Sequence, residues 1–331
     1  MIDSSLQSAS LLAALMFLPL VKKRVYELFL STHIACSVTI VYAIWQHTRH
    51  GSGRLWAFPI AFIAVFALSA IARLLRIIFR NIVIGKDAVR LTLSPQKGNV
   101  ACLTLRLPRP WVVRAGERVS IGVPHVGIFY ILQSHPFMIT WWESDTRGRA
   151  TSISILCRPR SGFTRRLVER VEPNRECGAW VDGPFGPSSI DLASSNAVID
   201  FGHVLMVSTG IGIAAQIPYI KEILDGHHQG RVRTRKISLV WQVDQAGDWE
   251  SARNWLQALV EQDNGYMLSV TVFDQLHSAS EDRRIGRNGK IHIHSGVVDW
   301  EERLDAEIAD RIGMLLVTGD HSRIILHELS S

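Results

Sequence analysis

Three apolar runs lie within the first 85 residues, whereas the rest of the chain alternates short apolar segments with polar ones. The runs cover residues 11–20, 25–47 and 55–79. The second and third are each long enough to cross about 30 Å of hydrocarbon as a helix. The first is short and is interpreted as the end of a longer span. The pattern therefore predicts a transmembrane helical segment over residues 1–84.

A series of short strands is predicted next. The segments that alternate or run apolar, with proline and glycine between them, are residues 89–95, 100–108, 117–124, 136–142 and 151–157. Closely spaced strands with turn signals predict a small antiparallel β-barrel over residues 85–195. Residues 162–171 predict one short helix.

After residue 196 apolar strands alternate with helical segments. The predicted strands are residues 203–208, 237–243, 267–273, 291–296 and 313–320, with helices after the first, the second and the fourth. Strand–helix alternation predicts an open parallel sheet over residues 196–331. The polar segment 275–290 predicts a loop.

The charge pattern refines this picture. The net charge is +6, but the basic residues form no surface interleaved with aromatic residues, so we do not expect a nucleic-acid partner. Basic clusters at residues 22–24 and 73–80 share one side of the membrane if the second and third runs form a hairpin. By the positive-inside rule, the soluble part is then cytosolic in a multi-pass membrane protein. The four cysteines are dispersed, which predicts neither a zinc site nor a disulfide scaffold.

Two histidines lie in the second apolar run. His33 and His47 are fourteen residues apart, which corresponds to about 21 Å along a helix and to faces within roughly 40° of each other. A helix with this spacing could ligate two haems, one near each bilayer surface. Alternatively, His47 lies among the headgroups and His33 pairs within a helix bundle.

A glycine loop lies between a predicted strand and a predicted helix. In Thr209-Gly210-Ile211-Gly212-Ile213, glycine lets the backbone approach a pyrophosphate at a helix N-terminus, although a tight strand–helix turn also uses glycine. Residues 182–187 (DGPFGP) are either a wall of a nicotinamide site or an interdomain linker.

Two segments of the predicted barrel carry further candidates. Residues 135–140 (HPFMIT) begin a strand, and the two-residue period places Met138 and Thr140 on one face. Arg158 and residues 162–164 (GFT) follow at the start of the short helix, which is a second possible phosphate site.

These motifs occur in a recognisable order: the His-x13-His helix, a further span, HPF, RPRSGFT, DGPFG, STGIGI and LVW. In this order the chain resembles the ferric-chelate reductase and NADPH oxidase family, particularly the fungal ferric reductase-like proteins. The resemblance implies a haem-bearing helical segment, an FAD-binding barrel and an NAD(P)-binding α/β sheet.

The resemblance also implies site residues. The candidates for FAD are His135, Pro136, Phe137, Met138, Thr140, Arg158, Gly162, Phe163 and Thr164. The candidates for NADPH or NADH are Gly183, Gly186, Thr209, Gly210, Gly212, Ile213, Asp244 and Thr318. The ligands of haem b iron would be His33 (inner) and His47 (outer). Electrons would pass from NAD(P)H through FAD and haem to a ferric chelate, or to oxygen in a superoxide-generating variant.

The chain departs from the family pattern at several positions. It has one histidine-bearing helix where the family uses two, so we expect a shortened chain whose missing haem ligands come from a homo- or hetero-oligomer. Met138 replaces a hydroxyl residue, and Thr318 replaces a cysteine. Asp244 would repel a 2′-phosphate, which favours NADH, while the family inheritance is NADPH. An inactive paralogue that pairs with a full-length reductase is the alternative.

Overall fold

The computed structural model describes residues 26–48, 57–127, 135–160, 162–186, 201–245, 247–264, 266–275, 283–286 and 289–319. The chain divides into two compact units, residues 1–76 and 77–331. The apolar run at residues 11–20 and the basic cluster at residues 22–24 lie outside the described residues.

Two long helices cover the second and third apolar runs. Helix α1 is Tyr26–Thr48 and helix α2 is Ala57–Asn81. Pro59 lies in the first turn of α2, where its missing N–H interrupts no helical hydrogen bond. Among the described residues, α2 is long and apolar enough to cross a membrane, and its side chains are almost entirely exposed.

Antiparallel strands form the first part of the second unit. They are β1 (Arg90–Gln96), β2 (Val100–Trp111), β3 (Arg118–Gly122), β4 (Pro136–Met138), β5 (Trp141–Ser144), β6 (Ala150–Cys157), β7 (Glu176–Gly178) and β8 (Trp180–Phe185), with helix α3 (Phe163–Arg170) after β6. The two sheets have the orders β5-β6-β2-β1-β7 and β4-β3-β8. Both contribute to one core, which includes Leu91, Leu103, Ile121 and Val181. This is the expected antiparallel barrel.

The segment predicted as one strand over residues 136–142 is two strands in different sheets. The amide of Ile139 donates to the Glu117 carbonyl beside β3, whereas the amide of Thr140 donates to Ser154 in β6. The chain changes sheet between these residues. The DGPFG segment was also not predicted as a strand, but residues 182–185 pair with β3 as part of β8, so they are not an interdomain linker.

A six-stranded sheet forms the second part of this unit. Its strands are β9 (Phe201–Thr209), β10 (Lys236–Val243), β11 (Leu268–Asp274), β12 (Arg283–Ile285), β13 (Ile291–Ser295) and β14 (Met314–Gly319), and its helices are α4 (Ile213–His228), α5 (Asp248–Gln262) and α6 (Trp300–Ala309). The order is β12-β13-β11-β10-β9-β14, and every pairing is parallel except that of β12. Strand β12 lies in the segment predicted as a loop.

An aromatic contact joins the barrel to the parallel sheet. Trp141 of β5 packs with the hydrophobic core of the parallel sheet and stacks on Trp255 of α5, with the ring centroids 6.1 Å apart. The Lys221 ammonium lies 4.7 Å from the Trp141 ring centroid. The Ala115 amide donates to the Glu222 carboxylate at 2.6 Å. The barrel and the sheet therefore meet through both apolar and polar contacts.

Candidate functional site

Strand β4 presents two side chains outward. Pro136 and Met138 are exposed, whereas Phe137 between them packs against the barrel core. Alternation along a strand therefore places Pro136 and Met138 on the face that can receive a flat ligand. The Met138 side chain has no hydrogen-bond donor to offer at this face.

Thr140 does not share that face. It is fully buried, and its hydroxyl oxygen accepts a hydrogen bond from the Leu156 amide. The prediction that Met138 and Thr140 lie on one face is wrong, because the chain changes sheet between them. In the structure Thr140 stabilises the junction of β5 and β6.

His135 packs against the first residue of α3. Its ring stacks on Phe163 with centroids 4.0 Å apart and planes 7° from parallel. Burial lowers the pKa of His135 to about 4, so the ring is neutral at neutral pH. His135 therefore acts through packing and hydrogen bonding, not as a cation for a phosphate.

The start of α3 has the donors that a diphosphate requires. Gly162 is the N-cap at φ 75°, and no side chain caps the first turn. The Thr164 hydroxyl accepts from the Arg160 amide at 3.0 Å, which leaves its hydrogen available to donate. The buried Nε of Arg158 has no hydrogen-bond partner among the described residues. These groups fit the diphosphate of FAD.

Arg158 also makes an ion pair with the parallel-sheet half. Its Nη2 donates to Oδ1 of Asp248, the first residue of α5. The second oxygen, Oδ2, accepts from the amides of Asp244 at 3.3 Å and Gln245 at 3.1 Å. One carboxylate thus connects the candidate flavin arginine with the loop at the end of β10.

The glycine loop follows β9 as predicted, and Gly210 is its constrained position. Residues Gly210–Gly212 form a 3₁₀ turn that leads into α4, and Gly210 has φ 48°. The Trp241 indole N–H donates to the Gly210 carbonyl at 2.8 Å. Gly212 has φ −58°, which any residue adopts. The Ile213 side chain is fully buried in the core, so any contact it makes with a nucleotide is through its backbone.

Asp244 lies directly beside this loop. A Cβ placed on Gly210 would be 2.3 Å from Oδ2 of Asp244. The absence of a side chain at Gly210 therefore leaves room for the Asp244 carboxylate. Asp244 is exposed, so its negative charge faces solvent at the same edge.

The strand order reverses at β9, whose neighbours are β10 and β14. Ligands of open parallel sheets bind outside the carboxyl ends of the strands at such a reversal. Thr209 and Gly210 end β9, and Thr318 lies near the end of β14. The Thr318 hydroxyl donates to Gln216 of α4 at 3.3 Å. The predicted nucleotide residues of these two strands therefore lie at one edge of the sheet.

The glycines of the DGPFG segment differ in their surroundings. Gly183 has φ 135°, and an added Cβ would lie 3.2 Å from the Arg118 carbonyl. Gly186 has φ 77°, and no described atom lies within 4 Å of an added Cβ. Gly183 thus permits a close approach of β8 to β3, while Gly186 faces open space.

His33 and His47 both lie in α1, as predicted. The His33 side chain is exposed, and the His47 side chain lies outside the described residues. Among the described residues, no group of three or more His, Cys, Asp or Glu side chains is arranged to hold a metal ion. Helices α1 and α2 contain no histidines besides His33 and His47. A haem bound to either of these residues would therefore need a second ligand from outside these two helices.

Sequence reasoning missed Asp248, and it named Trp241 only as part of the LVW motif, without a role for its side chain. Asp248 could have been found, because an acidic residue in the first turn of a helix that follows a strand is a frequent binder of nearby backbone amides. Trp241 lies in an apolar strand, and nothing in the local pattern indicates that its indole supports the glycine loop.

Comparison with known families matches both halves of the second unit. Residues 86–189 match a family model described as an FAD-binding domain. Residues 201–295 match a model described as a ferric reductase NAD binding domain.

Curated relatives carry related names. A probable cell surface ferric reductase (kap2) from Aspergillus oryzae is 24% identical over 68% of this chain and 30% of its own length. A ferric/cupric reductase transmembrane component 2 from Schizosaccharomyces pombe is 22% identical over 80% of this chain and 51% of its own. The chain thus spans about a third to a half of these relatives.

Two solved structures align with parts of this chain. The Amycolatopsis cytochrome P450 reductase GcoB is 16% identical over 58% of this chain and 54% of its own, with a TM-score of 0.40. A flavohemoglobin from Malassezia yamatoensis is 11% identical over 87% and 74%, with a TM-score of 0.44. With its FAD-binding domain followed by a ferric reductase NAD binding domain, the chain belongs to a ferric-reductase-like family.

Proposed function

We propose that this chain is a membrane-bound oxidoreductase that transfers electrons from a nicotinamide nucleotide, through FAD, to ferric iron held in a chelate. The overall reaction is NAD(P)H + 2 Fe³⁺ → NAD(P)⁺ + H⁺ + 2 Fe²⁺. FAD supplies the conversion of a two-electron hydride donor into two single-electron transfers. Ferric iron is the substrate and not a resident metal.

The observation that carries the proposal is the continuous set of contacts between the two candidate cofactor sites. Arg158 pairs with Asp248, which holds the amides of residues 244 and 245, and the Asp244 carboxylate lies beside Gly210. The arginine for the flavin diphosphate and the glycine loop for the dinucleotide are therefore held in one rigid arrangement. Orientation of this kind is what the protein contributes to cofactor chemistry.

The residues divide into two groups by role. Arg158, Gly162 and Thr164 would bind the FAD diphosphate, and the exposed β4 face with Pro136 and Met138 would lie against the flavin ring. His135, Phe137 and Phe163 support that face by packing. We assign these roles to the domain formed by residues 85–195.

The second group belongs to residues 196–331. Gly210 and the N-terminus of α4 would receive the dinucleotide pyrophosphate, with Thr209, Gly212 and Ile213 contacting it through their backbones. Gly183, Gly186 and Thr318 would border the nicotinamide. Asp244 favours NADH, because its carboxylate would accept from a ribose hydroxyl and repel a 2′-phosphate.

The membrane segment completes the proposed path. Helix α2 would anchor the chain in a multi-pass plasma-membrane arrangement with the cofactor domains in the cytosol, in line with the transmembrane and cell-surface names of the relatives. His33 and His47 would each help to hold one haem b, with the second histidines supplied by a partner helix or a second chain. Two histidines on one iron suit electron transfer.

Met138 supports one alternative. It occupies the flavin face with a thioether, so a chain that binds FAD but transfers hydride slowly would fit an inactive partner of a full-length reductase. Transfer to oxygen would use the same residues and produce superoxide.

The test is the detergent-purified full chain, analysed by absorption and by turnover. We expect flavin absorbance, oxidation of NADH with reduction of a ferric chelate, and weaker FAD binding with lower turnover in Arg158→Ala. Bound flavin without NAD(P)H oxidation would favour the inactive partner, and ferric reduction inhibited by superoxide dismutase would favour the oxidase. A preparation that binds no FAD when FAD is supplied would contradict the proposal. A Soret band would show that haem is bound.

A further inference from the structure

A buried carboxylate from the nucleotide-binding half reaches the candidate flavin site. Asp248 is 1% exposed and begins α5. Its Oδ1 accepts from Arg158, and its Oδ2 accepts from the amides of Asp244 and Gln245. An ionised group this deeply buried is stable only when such donors satisfy it.

Asp248 is itself fixed from two directions. The amides of residues 244 and 245 hold its second oxygen, and the preceding Gly247 lies against the β1–β2 turn. A Cβ at Gly247, which has φ 95°, would be 2.4 Å from the Lys97 carbonyl carbon and 2.6 Å from the Gly98 nitrogen. The start of α5 is therefore packed closely against the barrel hairpin, which helps to hold the carboxylate in place beside Arg158.

The guanidinium of Arg158 is only partly used by this pair. Arginine has five N–H donors in a planar fork, and Asp248 engages Nη2. One edge of the fork is thus anchored by Asp248, while the buried Nε donor has no acceptor among the described residues.

We propose that Asp248 is a positioning residue for FAD, which orients Arg158 toward the flavin diphosphate from the opposite domain. The inference rests on the proposed function, because Arg158 must be the diphosphate arginine. Without Asp248 the long arginine side chain would have to be ordered when FAD binds, at the expense of affinity. Three N–H donors offset the charge of the carboxylate, so its repulsion of the diphosphate is the smaller effect.

A double-mutant cycle on the full chain tests this inference. FAD is removed, and the Kd for added FAD is measured from the quenching of flavin fluorescence, which requires no turnover. We expect Asp248→Asn to raise the Kd roughly tenfold, the effect of one hydrogen bond to a charged group. Glu250→Gln, an exposed change two residues later on the same helix, should leave it unchanged.

The decisive comparison is made in the Arg158→Ala background. If Asp248 acts through Arg158, Asp248→Asn adds less than a twofold further change there. If Asp248→Asn folds poorly, Asp248→Glu is used in its place. Asp248→Glu keeps the carboxylate and should retain part of the FAD affinity. Circular dichroism and thermal unfolding identify such a variant.

The outcomes separate the inference from the proposed function. An equal loss of FAD affinity in both backgrounds would overturn the positioning role, as would tighter FAD binding by Asp248→Asn, which would show that the carboxylate competes with FAD. A wild-type chain that binds no FAD would instead contradict the proposed function, and the inference with it.

Discussion

Asn81 and Val181 are joined by two hydrogen bonds of 2.7 Å each. The Asn81 Nδ2 donates to the Val181 carbonyl, and the Val181 amide donates to Asn81 Oδ1. Strand β8 lies at the edge of its sheet, so the side-chain amide occupies the position that a further strand would take. Asn81 is the last residue of α2, and this helix end is therefore bonded directly to the strand that contains the DGPFG segment.

Asn81→Ala should destabilise the barrel. It leaves two buried backbone groups of Val181 unsatisfied, which costs about 2 kcal/mol or more. In a unit of this size that lowers the apparent Tm by roughly 5 °C. The control is Ser69→Ala in α2, where the lost hydrogen bond to Val65 is exposed. Equal melting temperatures for the two variants would contradict the role of Asn81.

His135 should make stability depend on pH. Burial lowers the pKa of His135 from 6.5 to about 4 in the folded protein, so the unfolded chain takes up the proton first as the pH falls. The folded state therefore loses stability between about pH 7 and pH 4. His135→Phe keeps the stack on Phe163 without this titration.

The measurement is the apparent Tm of wild type and variant across that range. We expect the wild type to lose stability relative to His135→Phe as the pH is lowered. His125→Gln, at an exposed site, should follow the wild type. Parallel curves for wild type and His135→Phe would show that the folded-state pKa is ordinary.

Glu307 should make stability depend on pH in the same direction but at lower pH. Burial alone would raise the pKa of Glu307, but hydrogen bonds from His203, Ser238 and Lys236 outweigh it and hold the pKa at about 2. The resulting stability is present above about pH 4.5 and is lost as the pH falls through 2. Glu307→Gln should therefore cost roughly 2 kcal/mol at pH 7.

The difference in the free energy of unfolding between wild type and Glu307→Gln should become smaller as the pH falls from 4.5 to 2. Unfolding is followed by circular dichroism. Glu302→Gln, which is exposed on the same helix, should show no such convergence. A constant difference over this range would mean that the Glu307 charge is not what stabilises the fold.

Gly210→Ala should weaken nucleotide binding. Alanine is strained at φ 48°, and its Cβ would displace the Asp244 carboxylate. We expect the Kd for NAD⁺, measured by calorimetry, to rise about tenfold. Gly212→Ala is the matched control, because its φ of −58° is ordinary. A larger loss in Gly212→Ala would place the critical contact at the second glycine.

Asp244→Ser should shift the nucleotide preference. Removing the carboxylate relieves repulsion of a 2′-phosphate, so kcat/KM for NADPH should rise roughly tenfold relative to that for NADH. Glu250→Gln removes a negative charge elsewhere on the same half and should leave the ratio unchanged. An unchanged ratio in Asp244→Ser would show that Asp244 does not lie near the 2′ position of the bound ribose.

The sequence predicted those features that depend on local patterns. Two-residue alternation and turn residues were sufficient for β1, β2 and β6, and strand–helix alternation was sufficient for the parallel sheet and for the loop at Gly210. The strand over residues 136–142 could not be divided correctly, because the change of sheet at Ile139 is determined by the distant partners Glu117 and Ser154. Strand β8 was not predicted because it contains Gly183 and Pro184, which local rules assign to turns.

The sequence predicted the local elements that carry the candidate site residues, but not the contacts between those elements. HPF, GFT and the glycine loop were proposed as ligand positions because glycine and helix termini have local chemistry, and that assignment remains a prediction. The Arg158–Asp248 pair joins residues ninety positions apart, and no spacing rule covers such a distance. The same applies to Trp241, whose indole reaches back to Gly210.

Trp141 has a consequence for how the molecule can be divided. It is a barrel residue by strand pairing, yet its side chain lies in the core of the parallel sheet and is 9% exposed. A cut between the two cofactor domains would transfer this indole, and the face of Trp255 that it covers, into water. The boundary near residues 189–201 that the family matches indicate therefore does not coincide with the boundary between the two hydrophobic cores. Residues 77–331 form one compact unit, and we expect its two halves to unfold together.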